Sequence, residues 1–147
     1  EKPSHRFEIL EAKNGTNFIN DSKATNFDAM LNAIKAADNL KKDGDIYLIC
    51  GGDLKNQNLK DSDLQLIAKV KKAIIYGKDK LILESSLRKF TNCLLAYDLE
   101  DATKIAIKES KVNDYVLLSP ACSSLDMFQD YVDRGNEFKK LVNNLNK

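Results

Sequence analysis

Apolar residues follow two alternating patterns along the chain: short continuous runs, and stretches in which they recur every three or four residues. The runs at 46–50 and 115–118 are entirely apolar, which is typical of strands buried on both faces of a parallel sheet. The spaced stretches predict amphipathic helices, and the first of these begins after Asn26, a suitable N-cap, and ends near Gly44. The predicted order is strands at 7–12 and 17–19, a helix at 27–44, a strand at 46–50, a helix at 62–70, a strand at 73–76, a helix at 79–89, a strand at 93–97, a helix at 99–110 and a strand at 115–118. We therefore expect an α/β fold with a mostly parallel sheet covered by helices.

The two ends of the chain depart from this rhythm. Asn14-Gly15 lies between the first two strands and supplies the positive φ angles of a tight turn, which predicts an N-terminal β-hairpin. After the last strand, helical spacing resumes at Leu125 and continues to Leu145. Residues 134–136, Arg-Gly-Asn, predict a break between two helices there.

Composition limits the class of protein. A chain of 147 residues that is 43% hydrophobic is long enough for one domain, 1–147, and too short for two of full size. The 23 basic and 22 acidic residues give a net charge of +1, so no overall field attracts nucleic acid or a lipid surface. No apolar run approaches the roughly 20 residues of a membrane span. We expect a soluble, cytoplasmic, monomeric protein with no nucleic-acid or membrane partner, and residues 1–6 are similar to an interdomain linker.

The three cysteines offer no metal-binding spacing. Cys50 and Cys93 lie within apolar runs, whereas Cys122 lies in a polar loop, and an odd number cannot all pair within one chain. We expect reduced thiols, buried without a chemical role at Cys50 and Cys93, and no metal site.

The most informative segment is the polar sequence Asn-Asp-Ser-Lys-Ala-Thr-Asn at 20–26, between a predicted strand and a predicted helix. It contains a carboxylate, an ammonium and two hydroxyl groups in addition to the amides. Free backbone N–H groups and the helix dipole at such a junction favour an anion. We expect phosphate or carboxylate ligands here.

Two further loops follow predicted strands, where ligands bind in an open parallel sheet. In Gly-Gly-Asp-Leu-Lys at 51–55, the two glycines would let the backbone approach a ligand closely, beside the opposite charges of Asp53 and Lys55. Ser-Pro-Ala-Cys-Ser-Ser at 119–124 offers hydroxyl groups. Each has a structural alternative, an ordinary turn for the first loop and helix capping by Ser124 for the second. Arg6 suits bidentate contacts to phosphate or carboxylate, although a surface arginine is the more common case, and we assign His5 no proton-transfer role.

The chain contains no G-x-x-x-x-G-K-[ST] phosphate loop and no G-x-G-x-x-G motif. We conclude that this chain alone cannot hold a nucleoside triphosphate in the usual way.

Five motifs, taken in order, resemble those of the C-terminal domain of the Mur ligases, and most closely the members that add D-glutamate. They are HRFE at 5–8, NDSKATN at 20–26, GGD-x-K at 51–55, LSPACSSLD-x-F at 118–128 and RG-x-x-F at 134–138. The second motif separates these members from those that add other amino acids, which usually carry a histidine-containing sequence there. The resemblance covers nearly the whole chain.

The resemblance implies a Rossmann-like fold and a fragment of a three-domain enzyme whose central domain carries the phosphate loop. It implies ATP and Mg²⁺ as cofactors, and UDP-N-acetylmuramoyl-L-alanine and D-glutamate as substrates. ATP would phosphorylate the alanine carboxylate, and the amine of D-glutamate would attack the acyl phosphate to form an amide. The enzyme domain would be inactive alone.

The resemblance also implies roles for particular residues. Those that would face the nucleotide are Arg6, Asp21 and Lys23, and those that would form the D-glutamate pocket are Thr25, Lys55, Ser124 and the backbone near Leu125 and Tyr131. Tyr131 departs from the phenylalanine common in the family, and no general base can be named.

Two other interpretations stay open. One is a related ATP-dependent ligase of the folylpolyglutamate synthetase type, and the other is a non-enzymatic α/β binding module of receiver type. A receiver module needs a cluster of acidic residues at strand ends, and only Asp53 has such a position.

Overall fold

The computed structural model describes residues 4–57 and 64–145, which contain a six-stranded sheet in the order β1-β2-β6-β3-β4-β5. The strands are β1 (Glu8–Ile9), β2 (Asn17–Asn20), β3 (Ile46–Gly51), β4 (Lys72–Tyr76), β5 (Asn92–Leu95) and β6 (Tyr115–Leu118). The helices are α1 (Phe27–Leu40), α2 (Lys80–Leu87), α3 (Leu99–Glu109) and α4 (Tyr131–Asn143), with a 3₁₀ helix at Leu64–Lys69. Strands β2 to β6 are parallel, and β1 pairs antiparallel with β2. The predicted α/β class and mostly parallel sheet are confirmed.

Helices cover both faces of the sheet, as the continuous apolar runs predict. Alternate residues of β3 enter different cores: Leu48 packs with α1, α2 and the 3₁₀ helix, and Ile49 packs with α3 and α4. Both residues are completely buried. Burial on two faces explains why this strand is apolar throughout rather than alternating with polar residues.

The N-terminal hairpin is confirmed, but its strands are shorter than predicted. Asn14 and Gly15 have φ angles of 53° and 83°, and Lys13 and Thr16 exchange backbone hydrogen bonds across the turn. Only Glu8 and Ile9 then pair as a strand with β2. The first three residues of the linker-like segment lie outside the described residues, whereas His5 is buried.

Helix α1 begins as predicted, because the Asn26 side chain accepts a hydrogen bond of 2.9 Å from the Ala29 backbone N–H. It ends at Leu40, earlier than expected from Gly44. The helix predicted at 62–70 is a 3₁₀ helix over its described part, and residues 62 and 63 lie outside the described residues.

The C-terminal prediction is wrong in two respects. Helix α4 continues through 134–136 instead of breaking there, because Gly135 serves a close contact with His5 rather than a chain reversal. No helix begins at Leu125, and Ser124 caps none: the Ser124 carbonyl accepts backbone N–H groups from Met127 and Phe128 in an isolated turn. The true N-cap is Asp130, whose side chain accepts from Asp133 N–H.

The capping contact at α1 can be tested directly. We expect Asn26→Ala to lower the free energy of unfolding by about 1 kcal/mol, because one N-terminal N–H of the helix loses its acceptor. Urea denaturation monitored by circular dichroism measures this change. Asn39→Ala, at an exposed position of the same helix, is the matched control and should leave stability unchanged or slightly increased. Equal losses in both variants would contradict the capping role.

Candidate functional site: two adjoining clefts

Three loops meet at the carboxyl end of the parallel sheet, where the strand order places β2, β6 and β3 side by side. The loop after β2 is tied to the loop after β6 by a hydrogen bond of 2.8 Å from Ala121 N–H to the Ala24 carbonyl. The loop after β3 is tied to the same segment, because Asp53 and Ser123 exchange backbone hydrogen bonds of 3.1 and 2.8 Å. The polar segments singled out in the sequence therefore form one continuous surface.

The glycines of the loop after β3 allow this close approach of backbones. A Cβ on Gly52 would lie 2.4 Å from the Ser123 carbonyl oxygen, and the residue has a φ of +130°. The sequence suggested that glycine here admits a ligand. In the structure it admits the neighbouring loop.

The three residues expected to face a nucleotide line a single cleft of about 420 Å³. Arg6 and Lys23 contribute two cations, and Asp21 contributes a carboxylate. Phe7 and the alanines on one face of α1 form most of the remaining wall, which is apolar except for Asn32. Two cations beside an apolar wall suit a ligand that carries phosphate at one end and a ring at the other.

Asp21 also holds this cleft together. One of its carboxylate oxygens accepts a hydrogen bond of 2.8 Å from Phe7 N–H, and the other accepts one of 2.8 Å from the Ser119 hydroxyl. Burial raises the pKa of this carboxyl group, against the opposing effect of those hydrogen bonds and of Arg6. A carboxylate has about four acceptor positions, so both oxygens can still accept from a ligand in the cleft.

The five residues expected to form an amino-acid pocket line a second cleft of about 350 Å³. They are Thr25, Lys55, Ser124, Leu125 and Tyr131, together with Ser123 and Asp130. The set spans more than one hundred positions of sequence and comes together only through the sheet order. Asp130 was missed by the sequence reasoning, although an acidic residue before the apolar positions of a helix is a recognisable N-cap signal.

Lys55 is presented to the second cleft by a strained backbone, with a φ of +51°. Its N–H donates to one Asp53 oxygen at 2.9 Å, and its ammonium lies 3.8 Å from the other. Lys78 lies 3.6 Å from that same oxygen. The hydrogen bond from Lys55 N–H, and then the two ammonium groups, lower the pKa of Asp53. Because both lysine side chains are more than half exposed, a competing carboxylate can reach Lys55.

The two clefts adjoin at Lys23. Its side chain lines the first cleft, and its ammonium lies 5.7 Å from the centre of the Tyr131 ring, which lines the second. The Leu125 N–H, expected to be available to a ligand, already donates to the Ser123 hydroxyl at 3.3 Å. Tyr131 instead places the first turn of α4, with its positive dipole end, beside the second cleft.

Arg134 is the principal residue that the sequence reasoning missed. It is completely buried on α4, and its guanidinium donates to the Ser22 hydroxyl at 3.0 Å, the Ser22 carbonyl at 2.6 Å and the Cys122 carbonyl at 2.9 Å. The Ser22 hydroxyl in turn donates to the Tyr131 carbonyl at 2.6 Å. Burial lowers the pKa of Arg134, but an arginine remains charged in a protein. The spacing of Arg134, Phe138 and Val142 by four residues is the sequence signal that places it on the buried face.

The three cysteines are free thiols; Cys50 is buried as expected, whereas Cys93 is only half-buried. Cys50 and Cys122 are completely buried, and burial raises the pKa of Cys122 to about 12 and that of Cys93 to about 11.

Within residues 4–57 and 64–145, no three His, Cys, Asp or Glu side chains are grouped as they would be to hold a metal ion. The helices in this described part of the chain are all too short or too polar to cross a membrane.

Fold and clefts define an α/β domain of Rossmann-like class whose two clefts lie at the carboxyl ends of its strands, where open parallel sheets bind ligands. The sequence matches the family described as "Mur ligase, glutamate ligase domain" over residues 5–122. The chain belongs to this family.

Curated relatives agree with this assignment. The chain is 38% identical over 142 residues to the UDP-N-acetylmuramoylalanine--D-glutamate ligase of Protochlamydia amoebophila, covering 97% of the chain and 31% of that protein. It is 41% identical over 139 residues to the protein of the same name from Hahella chejuensis, covering 95% of the chain and 31% of that protein. The chain thus spans about a third of the length of the curated relatives it matches.

Solved structures agree on the fold. A murein peptide ligase from Psychrobacter arcticus matches with a TM-score of 0.67 at 13% identity, over 97% of the chain and 30% of that protein. The MurF ligase from Thermotoga maritima, solved in complex with ADP, matches with a TM-score of 0.55 at 15% identity, over 96% of the chain and 31% of that protein. At these identities the likeness is one of fold.

His5, the single histidine, gives a test of the surface that supports the first cleft. Burial, and then the charge of Lys139, lower its pKa from the ordinary value of 6.5. His5 therefore binds a proton less readily in the folded chain than in the unfolded chain. The contribution of neutral His5 to the free energy of unfolding is complete above pH 6.5 and is lost as the pH falls through the folded pKa.

We expect the free energy of unfolding to fall between pH 7 and about pH 5.5 more steeply in the wild-type chain than in His5→Gln. Urea titrations at several pH values measure the slope. Asp21, whose raised pKa acts with the opposite sign, is present in both proteins and cancels in the comparison. Identical slopes would contradict a buried, neutral His5.

Proposed function

We propose that this chain is the amino-acid-binding domain of an ATP-dependent ligase that joins D-glutamate to UDP-N-acetylmuramoyl-L-alanine in peptidoglycan precursor synthesis, in the cytoplasm. In this reaction the terminal phosphoryl group of ATP passes to the alanine carboxylate, giving an acyl phosphate and ADP. The amine of D-glutamate then attacks the acyl carbon, and an amide forms as phosphate leaves. The whole enzyme acts as a monomer and needs neither nucleic acid nor a membrane.

The observation that carries this proposal is the convergence of five residues from four separate segments on the second cleft. D-Glutamate brings two carboxylates and one amine. The Lys55 ammonium, the hydroxyls of Thr25 and Ser124 and the positive end of α4 at Tyr131 suit the carboxylates. The carboxylate of Asp130 suits the ammonium form of the incoming amine.

The first cleft is assigned to the nucleotide. Arg6 and Lys23 suit phosphate oxygens, and Asp21 suits ribose hydroxyls. The bound ADP of the Thermotoga maritima MurF ligase supports a nucleotide in a protein of this fold. The described residues contain no group of three His, Cys, Asp or Glu side chains that could hold a metal ion, so Mg²⁺ would be coordinated mainly by the phosphates of ATP and by another domain.

The adjoining position of the clefts suits the chemistry. Lys23 borders both, so the phosphates of the nucleotide and the incoming amino acid would lie on either side of one ammonium group. This arrangement brings the attacking amine close to the activated carboxylate when the remaining domains close over this surface.

Two substitutions in the full-length enzyme separate the clefts. We expect Lys55→Ala to raise the KM for D-glutamate about tenfold with little change in the KM for ATP, and Arg6→Ala to do the reverse, because each removes one charge-assisted contact. Initial rates of phosphate release, with each substrate varied in turn, measure both constants. Lys71→Ala, an exposed lysine paired with Asp45 ahead of β4, is the matched control and should change neither constant. Equal effects of the two variants on both substrates would refute the division into two clefts.

A second test concerns the chain by itself. We expect the 147-residue chain to release no phosphate from ATP above the buffer rate, with or without D-glutamate, because its sequence has no phosphate loop. The same assay on the full-length enzyme is the positive control. Turnover by the chain alone would place the phosphoryl-transfer site within these residues and contradict the proposed division between domains.

A further inference from the structure

Gly135 lies in the first turns of α4 at a position where no side chain can be accommodated. A Cβ built on this residue would lie 2.1 Å from Nδ1 and 2.8 Å from Cε1 of the His5 ring. Both atoms belong to a side chain that is only 6% exposed, so the ring has little room to withdraw. The His5 imidazole therefore occupies the space that a side chain at Gly135 would need, and we call this space the slot.

The ring is also held by Asn20, which bonds the same ring nitrogen that lies nearest to Gly135. The amide of Asn20 donates one hydrogen bond of 2.9 Å to His5 Nδ1 and another of 3.0 Å to Glu8, and its oxygen accepts one of 3.2 Å from Ser22 N–H. This assignment makes Nδ1 an acceptor and leaves the proton on Nε2. The Glu8 carboxylate also forms an ion pair with the Lys139 ammonium at 3.3 Å. Lys139 lies one helical turn after Gly135 on α4. Through Gly135 and Asn20, the His5 ring therefore connects helix α4 with strand β2.

The backbone of His5 extends this contact to the first cleft. Its carbonyl accepts a hydrogen bond of 2.9 Å from Lys23 N–H, and two residues later Phe7 N–H donates to Asp21 at 2.8 Å. His5 and Phe7 both have left-handed φ angles, 67° and 43°. Arg6 lies between them, so its direction depends on these two strained residues keeping their places.

We propose that Gly135 is a positioning residue for the nucleotide: by receiving the His5 ring, it holds the 5–7 segment in the conformation that directs Arg6 into the first cleft. The inference rests on the proposed assignment of that cleft to ATP. Gly135 itself touches no substrate. Its main effect passes through His5 to Arg6; the His5 ring also lies edge-on to the Tyr131 ring of the second cleft, with 6.3 Å between the ring centres.

The first experiment examines the contact without any enzyme activity. In the 147-residue chain, hydrogen exchange of the Lys23 amide, which is bonded to the His5 carbonyl, is expected to quicken at least about tenfold in Gly135→Ala. Asn136→Ala, the next residue on α4 and exposed, is the matched control and should leave the exchange rate unchanged. An unchanged rate in Gly135→Ala would overturn the proposal, whatever the function of the enzyme.

The second experiment measures the consequence in the full-length enzyme. Gly135→Ala is expected to raise the KM for ATP about tenfold while the KM for D-glutamate stays within about twofold, and Asn136→Ala to change neither. Combined with Arg6→Ala, the Gly135→Ala change is expected to add nothing further, because its effect passes through Arg6. Full additivity of the two changes, or equal increases in both KM values, would overturn the positioning role.

His5→Ala keeps the test decisive if Gly135→Ala does not fold. Removal of the ring introduces no steric clash, yet it empties the slot, so the same selective rise in the KM for ATP is expected. An unchanged KM for ATP in His5→Ala would overturn the proposal. Absence of D-glutamate-dependent phosphate release by the wild-type enzyme would instead refute the proposed function, and the hydrogen-exchange result would still decide whether Gly135 holds the 5–7 segment.

Discussion

The hydrogen bonds of the buried Arg134 guanidinium are the interaction on which the sheet edge that carries the two clefts depends. Its partners are the hydroxyl and carbonyl of Ser22 and the carbonyl of Cys122, which belong to the loops after β2 and β6. A buried cation is costly unless its donors are satisfied, so these loops cannot separate without leaving the guanidinium short of acceptors. Because Ser22 also donates to Tyr131, the same contact fixes the start of α4 beside the second cleft.

The two clefts differ in how their charges are held. In the first cleft, Asp21 is buried and accepts hydrogen bonds from Phe7 N–H and the Ser119 hydroxyl. Asp21 therefore holds the neighbouring segments together and also lines the cleft. In the second, Lys55 is exposed and paired only at 3.8 Å with Asp53, so a ligand carboxylate can compete for it. In the proposed function, the fixed carboxylate would orient a nucleotide held mainly by another domain, and the loosely paired lysine would bind an amino acid that must enter and leave.

Most of the sheet could be predicted from the chain, because burial on both faces leaves continuous apolar runs such as 115–118. The apolar spacing at Leu125 gave the wrong result, since that residue is 60% exposed and its segment forms a turn. Gly135 was misread for a related reason. Sequence shows that a residue lacks a side chain, but whether this permits a turn or a close contact depends on what faces it, here the His5 ring.

The sequence by itself determined the fold class, the hairpin turn at Asn14-Gly15 and, through motif resemblance, the residues that line each cleft. These properties depend on the local pattern and chemistry of the residues, which the order of residues specifies directly. Only the tertiary structure decided that Thr25, Lys55 and Tyr131 face one space, that Asp21 is buried within its cleft, and that Arg134 joins the loops. The physical reason is the strand order, in which β6 lies between β2 and β3: hydrogen bonds between residues about a hundred positions apart bring the polar loops together, and no local pattern specifies them.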